Sequence, residues 1–362
     1  MSILALLQSA TYQTMLYEDM CTGFRRAFPT AVGLEASILE DRTANTAMLR
    51  NCFVMAPDRY LVPAFKMSPF RTSDLALNRN LPFSADIDDY FSDRFKNRRF
   101  VYCANGRQAI GLALKHLGVG ANSHVTILTT TGNSYISGCV TAEIEKLGRW
   151  SRELREDTNA VFVNHEFGFA FEQLLDLKRR NVPIIEDACY AFASDNGEHS
   201  LSRVGSFTVY SFPKFFPIQV GGLLVFEDRF DVEEPVDAET KRYMQKVLSF
   251  HIQRLDVIKQ ARREHYRYLA ARFQALGFPP RFELTDSTVP GAFMFKTGGT
   301  VDLPALKTFL CNQGLECSVF YGEDAFFIPV NQALAKGELD YFYESVSCFV
   351  KQGKSKVSEP VT

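Results

Sequence analysis

The sequence is short of several things. It holds one tryptophan and six histidines in 362 residues, and none of its eight cysteines forms a C-x-x-C pair. There is no H-E-x-x-H either, so no metal is expected. No Walker A loop occurs, and no G-x-G-x-x-G follows a strand, which removes the usual nucleotide-phosphate loops. Neither charge sign dominates, since the net charge is −2, and this argues against a nucleic-acid partner. Basic residues such as Arg254, Arg262, Arg263 and Arg267 alternate with acids and apolars. They read as a solvated helix face, as do His251 and His265. No window nears the ~20 apolar residues that cross a bilayer. The apolar run from Ile3 to Leu7 is too short for a signal peptide and has no basic segment before it. No membrane is expected, and a cytoplasmic protein is. Cys21, Cys52, Cys103, Cys139, Cys189, Cys311, Cys317 and Cys348 mostly fall in apolar segments. They read as free thiols of a reducing compartment. Repeats and low-complexity tracts are lacking.

What is present suits a large globular chain. Hydrophobic residues make up 46% and charged residues 23%, with 32 phenylalanines. That supplies ample core and more chain than one small domain needs. Strand patterns at 99–103, 124–129, 160–163, 182–186, 208–212 and 223–226 alternate with helices at 108–117 and 171–181. Such βα alternation predicts an α/β fold with an open, mostly parallel sheet covered on both faces. A helix is expected over 87–95. A long charged helix, broken at most once, is expected over 240–276, stopped by Gly277-Phe278-Pro279-Pro280. Residues 281–350 read as a small α/β domain with helices near 304–313 and 338–351, followed by a polar tail. The expected organisation is a helical extension over 1–60, with Met15, Leu16, Met20, Phe24 and Phe28 at helical spacing. A large domain follows over 61–238, then the long helix and small C-terminal domain over 239–362. Residues 60–85 look irregular.

The chemistry concentrates in one stretch. Ile184-Ile185-Glu186-Asp187-Ala188-Cys189-Tyr190 is followed by Gly205-Ser206-Phe207, then Ser211-Phe212-Pro213-Lys214, then Gly221-Gly222. An aspartate thus ends a strand, and a lysine follows 27 residues later on another loop. Pyridoxal 5'-phosphate (PLP) requires this arrangement. A carboxylate keeps its ring nitrogen protonated, and a lysine bonds its aldehyde and later carries protons. Each part alone has a plainer reading: a capping aspartate, a surface lysine, a turn. Their conjunction is less common. Gly106, between strand 99–103 and helix 108–117, would let the backbone approach a phosphate. Gly106, Arg107 and Gln108 are the candidate backbone donors at that helix start.

On these residues the chain resembles the DegT-like (DegT/DnrJ/StrS) sugar aminotransferases. The resemblance covers about residues 75–350. IIEDACYA, GSF, SFPK and VGG stand where the family has its acidic, Gly-Ser-Phe, lysine and Gly-Gly motifs. Asn105 to Leu114, Val125 to Val140 and His165-Glu166-Phe167-Gly168 also match, and Arg254 to Ile258 with Arg262-Arg263 match more weakly. The resemblance implies a fold-type-I PLP transferase, aspartate aminotransferase-like. It also implies a small-molecule amino donor (glutamate or similar), a keto acceptor such as a nucleotide-linked keto-sugar, and a homodimer. It makes Lys214 the cofactor lysine, Asp187 the ring partner and Tyr135 the stacking aromatic. His165 would either line the ring edge or be a satisfied loop histidine. The chain departs from the family in places. Arg107 replaces a small hydroxyl residue. Ser211, three before the lysine, and Tyr190, three after the aspartate, are instead similar to aspartate aminotransferase types. There they bind the phosphate and the ring oxygen. The Gly-Tyr-Asn motif that reaches a partner subunit is missing, and 318–332 is shortened; both parts shape a sugar-nucleotide pocket. Arg71 and Arg79 are the candidates for a substitute contact between chains. A PLP-dependent dehydratase or lyase, or a non-catalytic protein of this fold, are the alternatives.

Overall fold

The computed structural model describes residues 63–195 and 201–357, with side chains to 352. The helical extension expected over 1–60 lies outside the described residues.

The chain opens with α1 (Ser73–Asn80) and α2 (Asp86–Arg94), then β1 (Arg98–Cys103), α3 (Gly106–His116), β2 (His124–Thr129) and α4 (Gly138–Glu145). Next come β3 (Arg149–Ser151), β4 (Thr158–Asn164), α5 (Leu174–Lys178), β5 (Ile184–Asp187), β6 (Phe207–Ser211) and β7 (Gly222–Glu227). These strands form one seven-stranded sheet in the order β1-β7-β6-β5-β4-β2-β3. Only β7 runs antiparallel to its neighbours, β1 and β6. The other pairs are parallel. Parallel strands buried on both faces read as nearly unbroken apolar runs. Every residue of parallel β5 is buried, although it ends in an acidic pair, and antiparallel β7 is buried except for half-buried Glu227.

The rest of the chain is α6 (Ala238–Ile252), α7 (Leu255–Ala275), β8 (Phe293–Phe295), α8 (Leu303–Asn312), β9 (Ser318–Val319), β10 (Phe326–Ile328) and α9 (Lys336–Val357). A second sheet has the order β8-β10-β9. The seven-stranded sheet is built from 98–227 and the three-stranded one from 293–328. Phe65 bridges Leu315, so the segment before α1 lies along this C-terminal part.

Several expectations need correction. Residues 60–85 are not wholly irregular, because α1 forms there. Its sequence SDLALNRN is polar with a weak apolar face, so periodicity gives no signal. The edge strand β3 is only three residues long, and α4 begins after an irregular stretch; neither was expected. Only 174–178 of the helix expected over 171–181 forms. The single break in the long helix falls at Gln253 and Arg254, which cap α6 and α7. Arg254 and Arg267 are exposed, but Arg262 is fully buried and His251 nearly so. Half-buried His265 meets the Asn331 carbonyl through Nδ1 at 3.0 Å. Cys103, Cys317 and Cys348 are buried free thiols, Cys139 and Cys189 are half-buried, and Cys311 is exposed.

The phenylalanines fill cores. Phe91, Phe192, Phe212, Phe215 and Phe216 belong to one buried cluster beside α6. Phe91 stacks on Phe212 at 6.2 Å, and Phe192 meets Phe216 edge-on at 4.8 Å. Burying each such ring contributes about 1.5–3 kcal/mol. Three of these rings flank one lysine, which the cluster therefore positions.

His251 is buried on α6, and its Nε2 has no hydrogen-bond partner among the described residues. Burial, helped by the Arg254 charge, pushes its pKa from 6.5 down to about 4. Between these values the unfolded chain binds the proton and the folded chain does not, so stability falls as pH drops through that window. Thermal melts of His251→Leu across pH should show a shallower loss there than the parent chain. An unchanged slope would place the histidine's titration elsewhere.

Candidate active site

The parallel strands all end on one side of the sheet, and their carboxyl ends surround a cavity of about 610 Å³. Open α/β sheets bind ligands at this edge. In the β4–β5 register Asn164 stands opposite Asp187, and in the β6–β7 register Ser211 stands opposite Gly222. These pairings bring the strand ends level. The wall takes Asn105 to Arg107 from the β1–α3 turn and Tyr135 from the segment before α4. It takes Asp187 and Tyr190 from after β5, and Ser211 and Lys214 from after β6. Glu316, Phe320 and Phe327 close it from the smaller sheet.

Lys214 ends a short 3-10 turn over Phe212–Lys214, with the ring-fixed φ of Pro213 at its second position. Phe212, Phe215 and Phe216 are at most 1% exposed, which anchors the turn on both sides of the lysine. Lys214 Nζ donates to the Tyr190 hydroxyl at 3.0 Å. Tyr190 is the largest influence on this amine. Together with Glu316 it holds the pKa above the ordinary lysine value, against burial, which lowers it. Tyr190 itself packs on Phe167 at 4.9 Å.

Asp187 is 5% exposed. Its Oδ2 accepts from Asn164 Nδ2 at 2.9 Å, and its Oδ1 from the Cys189 N–H at 3.1 Å. No cationic side chain forms an ion pair with it among the described residues. Burying a carboxylate without a counter-charge is costly. A ligand cation at this spot would offset that cost. Asp187 and burial also push the Cys189 thiol well up, burial being the larger cause, so Cys189 is packing rather than a nucleophile. Cys103 is buried beneath the site and does not line the cavity.

The adjoining acid, Glu186, does something else. It is fully buried and accepts from the Gly205 N–H at 2.6 Å and the Ser202 N–H at 3.1 Å. Its third partner is His165 Nε2 at 3.3 Å. Burial raises its pKa, but the His165 bond and these N–H groups outweigh it and leave a net lowering. A Cβ at Gly205 would come within 2.9 Å of Glu186 Cγ, which explains the glycine of the Gly-Ser-Phe motif. His165 Nδ1 accepts from the Phe171 N–H at 3.0 Å, so Nε2 carries the proton given to Glu186. His165 is therefore the satisfied loop histidine and does not reach the cavity.

At the opposite wall, Asn105 caps α3 by accepting from the Gln108 N–H at 3.0 Å. Gln108 Oε1 reciprocates by accepting from the Ala104 N–H at 2.7 Å. This removes the Gln108 N–H from the set of phosphate donors. The N–H groups of Gly106 and Arg107 make no hydrogen bond among the described residues and remain at the helix start. A Cβ at Gly106 would lie 3.4 Å from both Ser211 Cβ and Cys189 Sγ, so a side chain there would fill the space beside Ser211. The Arg107 side chain is exposed at the mouth, with Nε 3.2 Å from Cys139 Sγ. Tyr135 belongs to the aromatic wall, with its ring 4.8 Å from Phe320 and 6.5 Å from Phe167.

Asn164 and Glu316 were not anticipated, Asn105 was noted only as the start of a matching segment, and Arg262 was expected on a solvated face. Asn164 and Asn105 orient Asp187 and α3. Glu316 Oε2 accepts from the Met67 N–H at 2.7 Å and joins Asp187 and Glu166 as an acid in the wall. Arg71, a candidate for the contact between chains, also pairs with Glu338 of its own chain at 2.7 Å.

No family model matches the sequence, and no curated protein is similar to it in sequence. The fold is similar to many solved structures. The aminotransferase TlmJ from Streptoalloteichus hindustanus superposes with a TM-score of 0.63 at 17% identity, covering 85% of this chain and 100% of that one. Spr1654 from Streptococcus pneumoniae, assigned as a sugar aminotransferase, gives 0.62 at 14% identity over 85% of this chain and 100% of that one. It is known in PLP and PMP forms. A DegT DnrJ EryC1 StrS aminotransferase from Brucella abortus gives 0.58 at 14% identity, over 76% of this chain and 93% of that one. The chain therefore has the fold-type-I aminotransferase fold, as expected.

Removing the Tyr190 hydroxyl takes away the main support for the protonated amine. Tyr190→Phe should shift the labelling of Lys214 by an amine-reactive reagent to lower pH, read by mass spectrometry of its peptide. A wild-type profile would mean that the 3.0 Å contact does not control the amine.

Proposed function

We propose that the chain is a PLP-dependent aminotransferase. The observation that carries this reading is Asp187, a buried carboxylate with no cationic partner among the described residues, lining the same cavity as Lys214. The donor set fits the cofactor. Asp187 suits a protonated ring nitrogen, and Lys214 with Tyr190 suits the aldehyde side. The Gly106 and Arg107 N–H groups with Ser211 suit the phosphate, and Tyr135 suits a ring face. Bound there, the cofactor supplies an aldehyde for amines and a ring that takes up electrons released at the substrate's Cα.

The chain's own residues do the rest. Lys214 Nζ would hold the cofactor until the donor's own amine displaces it, and the freed amine is then placed to take up and return the proton of the donor's Cα. The Tyr190 hydroxyl sets the readiness of that nitrogen and holds its position. The Asp187 carboxylate, fixed by Asn164 and the Cys189 N–H, keeps a cation at its end of the cavity. Phe320, Phe327 and Phe167 keep the wall apolar. The donor we propose is glutamate or a similar amino acid, and the acceptor a keto compound such as a nucleotide-linked keto-sugar. Among the described residues no helix is long and apolar enough to cross a membrane, and we place the protein in the cytoplasm. We further propose a homodimer, with Arg71 and Arg79 as the candidates for a contribution from the second chain. Lys214 and its hydrogen bond to Tyr190 favour the catalytic reading over a non-catalytic one.

Added PLP should give the full-length chain a visible absorbance band, and L-glutamate should discharge it with release of 2-oxoglutarate. Asp187→Asn should still fold but lose about two to four orders of magnitude in rate, since breaking a buried charge pair costs about 3–5 kcal/mol. A band that glutamate leaves untouched would point to a lyase or dehydratase. A fully active Asp187→Asn would remove the ring partner from this position.

A further inference from the structure

Arg262 lies inside the buried stripe of α7, four residues from Ile258 and four from Tyr266. It is 0% exposed and is among the largest fully buried side chains. No carboxylate pairs with it among the described residues. Its acceptors are neutral oxygens. Nη2 donates to the Lys214 carbonyl at 3.0 Å and lies 3.5 Å from that of Phe215. Nη1 donates to the Pro290 carbonyl at 3.3 Å, and Nε to Gln332 Oε1 at 2.7 Å. Gln332 Nε2 in turn donates to the Phe215 carbonyl at 2.8 Å. The guanidinium also sits 4.7 Å from the Phe215 ring centre. Burial pulls its pKa down to about 9, which still leaves it charged at neutral pH.

Burying a cation without a counter-charge is costly, and an apolar side chain would fill the stripe more cheaply. One arm of the fork, Nη2, is spent on the two carbonyls where the lysine turn ends, and Nε holds the Gln332 amide that meets the second of them. A flexible lysine side chain meets a fixed hydroxyl only if its backbone is fixed as well. We propose that Arg262, with Gln332, is a positioning residue for Lys214: it holds the Lys214–Phe215 backbone so that Nζ meets the Tyr190 hydroxyl. The assignment rests on the aminotransferase reading for its purpose, and on the contacts above for its geometry. Arg262 touches neither substrate nor the reacting atoms; it acts through Lys214. The planar fork matters more than the charge, because a lysine there cannot span several divergent acceptors.

The test uses the full-length chain and the variants Arg262→Gln, Arg262→Lys and Gln332→Ala, each checked for folding by circular dichroism. The first readout is the pH profile of Lys214 labelling by an amine-reactive reagent without cofactor. The second is the rate at which added PLP is captured, followed by absorbance. Both Arg262 variants should shift the labelling profile to lower pH, as Tyr190→Phe does, and should slow capture about tenfold or more. Adding Tyr190→Phe to Arg262→Gln should bring no further shift, because both act through one contact. Gln332→Ala should shift the profile the same way by less. Folded Arg262 variants with the parent profile and capture rate would reduce Arg262 to core filling and overturn the proposal. Additive shifts, or an Arg262→Lys that behaves as the parent, would also overturn it. If the Arg262 variants do not fold, an unchanged profile in Gln332→Ala overturns it. A parent chain that gains no band with PLP defeats the aminotransferase reading instead, and the labelling profiles still decide whether Arg262 sets the lysine.

Discussion

The site depends on holding one flexible amine in one place. A lysine side chain has many rotamers, and fixing them costs up to about 2 kcal/mol. The chain meets that cost with its surroundings. Phe212, Phe215 and Phe216 are buried on either side of Lys214, and Pro213 sets the turn between them. Arg262 and Gln332 bind the carbonyls at its end. Tyr190 then receives the amine at 3.0 Å. Loss of the aromatic anchors would leave the lysine in the sequence and remove it from the site.

The neighbouring acids show how one dipeptide serves two ends. Strand alternation turns Glu186 and Asp187 to different surroundings. Glu186 is closed off by Gly205, Ser202 and His165, and so ties the 165–171 turn and the 202–205 loop to the sheet. Asp187 is left with an amide and one N–H, and lines the cavity. The first is satisfied within the chain. The second is ready for a cation the chain does not itself provide. That difference in partners sets the two carboxylates apart more clearly than burial does, since both are buried.

Much of this was legible in the sequence, for physical reasons. Buried parallel strands announce themselves as apolar runs, so six of the seven strands of the large sheet were expected near their observed bounds. The residues that close such strands fall on one edge of the sheet, so Gly106, Asp187, Tyr190, Ser211 and Lys214 meet in one cavity. What was not legible depends on partners distant in sequence. Gln108 looked like a phosphate donor, but its N–H is taken by the Asn105 cap. His165 could have turned either way until Phe171 and Glu186 were seen beside it. Arg262 was read as solvated because charged residues surround it in sequence. Its place in the stripe with Ile258, Tyr266, Leu269 and Phe273 was the available signal. An arginine on the apolar face of an amphipathic helix calls for acceptors in the core.

The central claim is that Lys214 is the residue that bonds the cofactor. The most direct measurement is to load the full-length chain with PLP, reduce with borohydride, digest, and find the modified lysine by mass spectrometry. The account predicts one stoichiometric label, on the peptide that carries Lys214, and none on that peptide in Lys214→Ala. A label on Lys241, Lys246 or any other lysine, or no label at all, would contradict it.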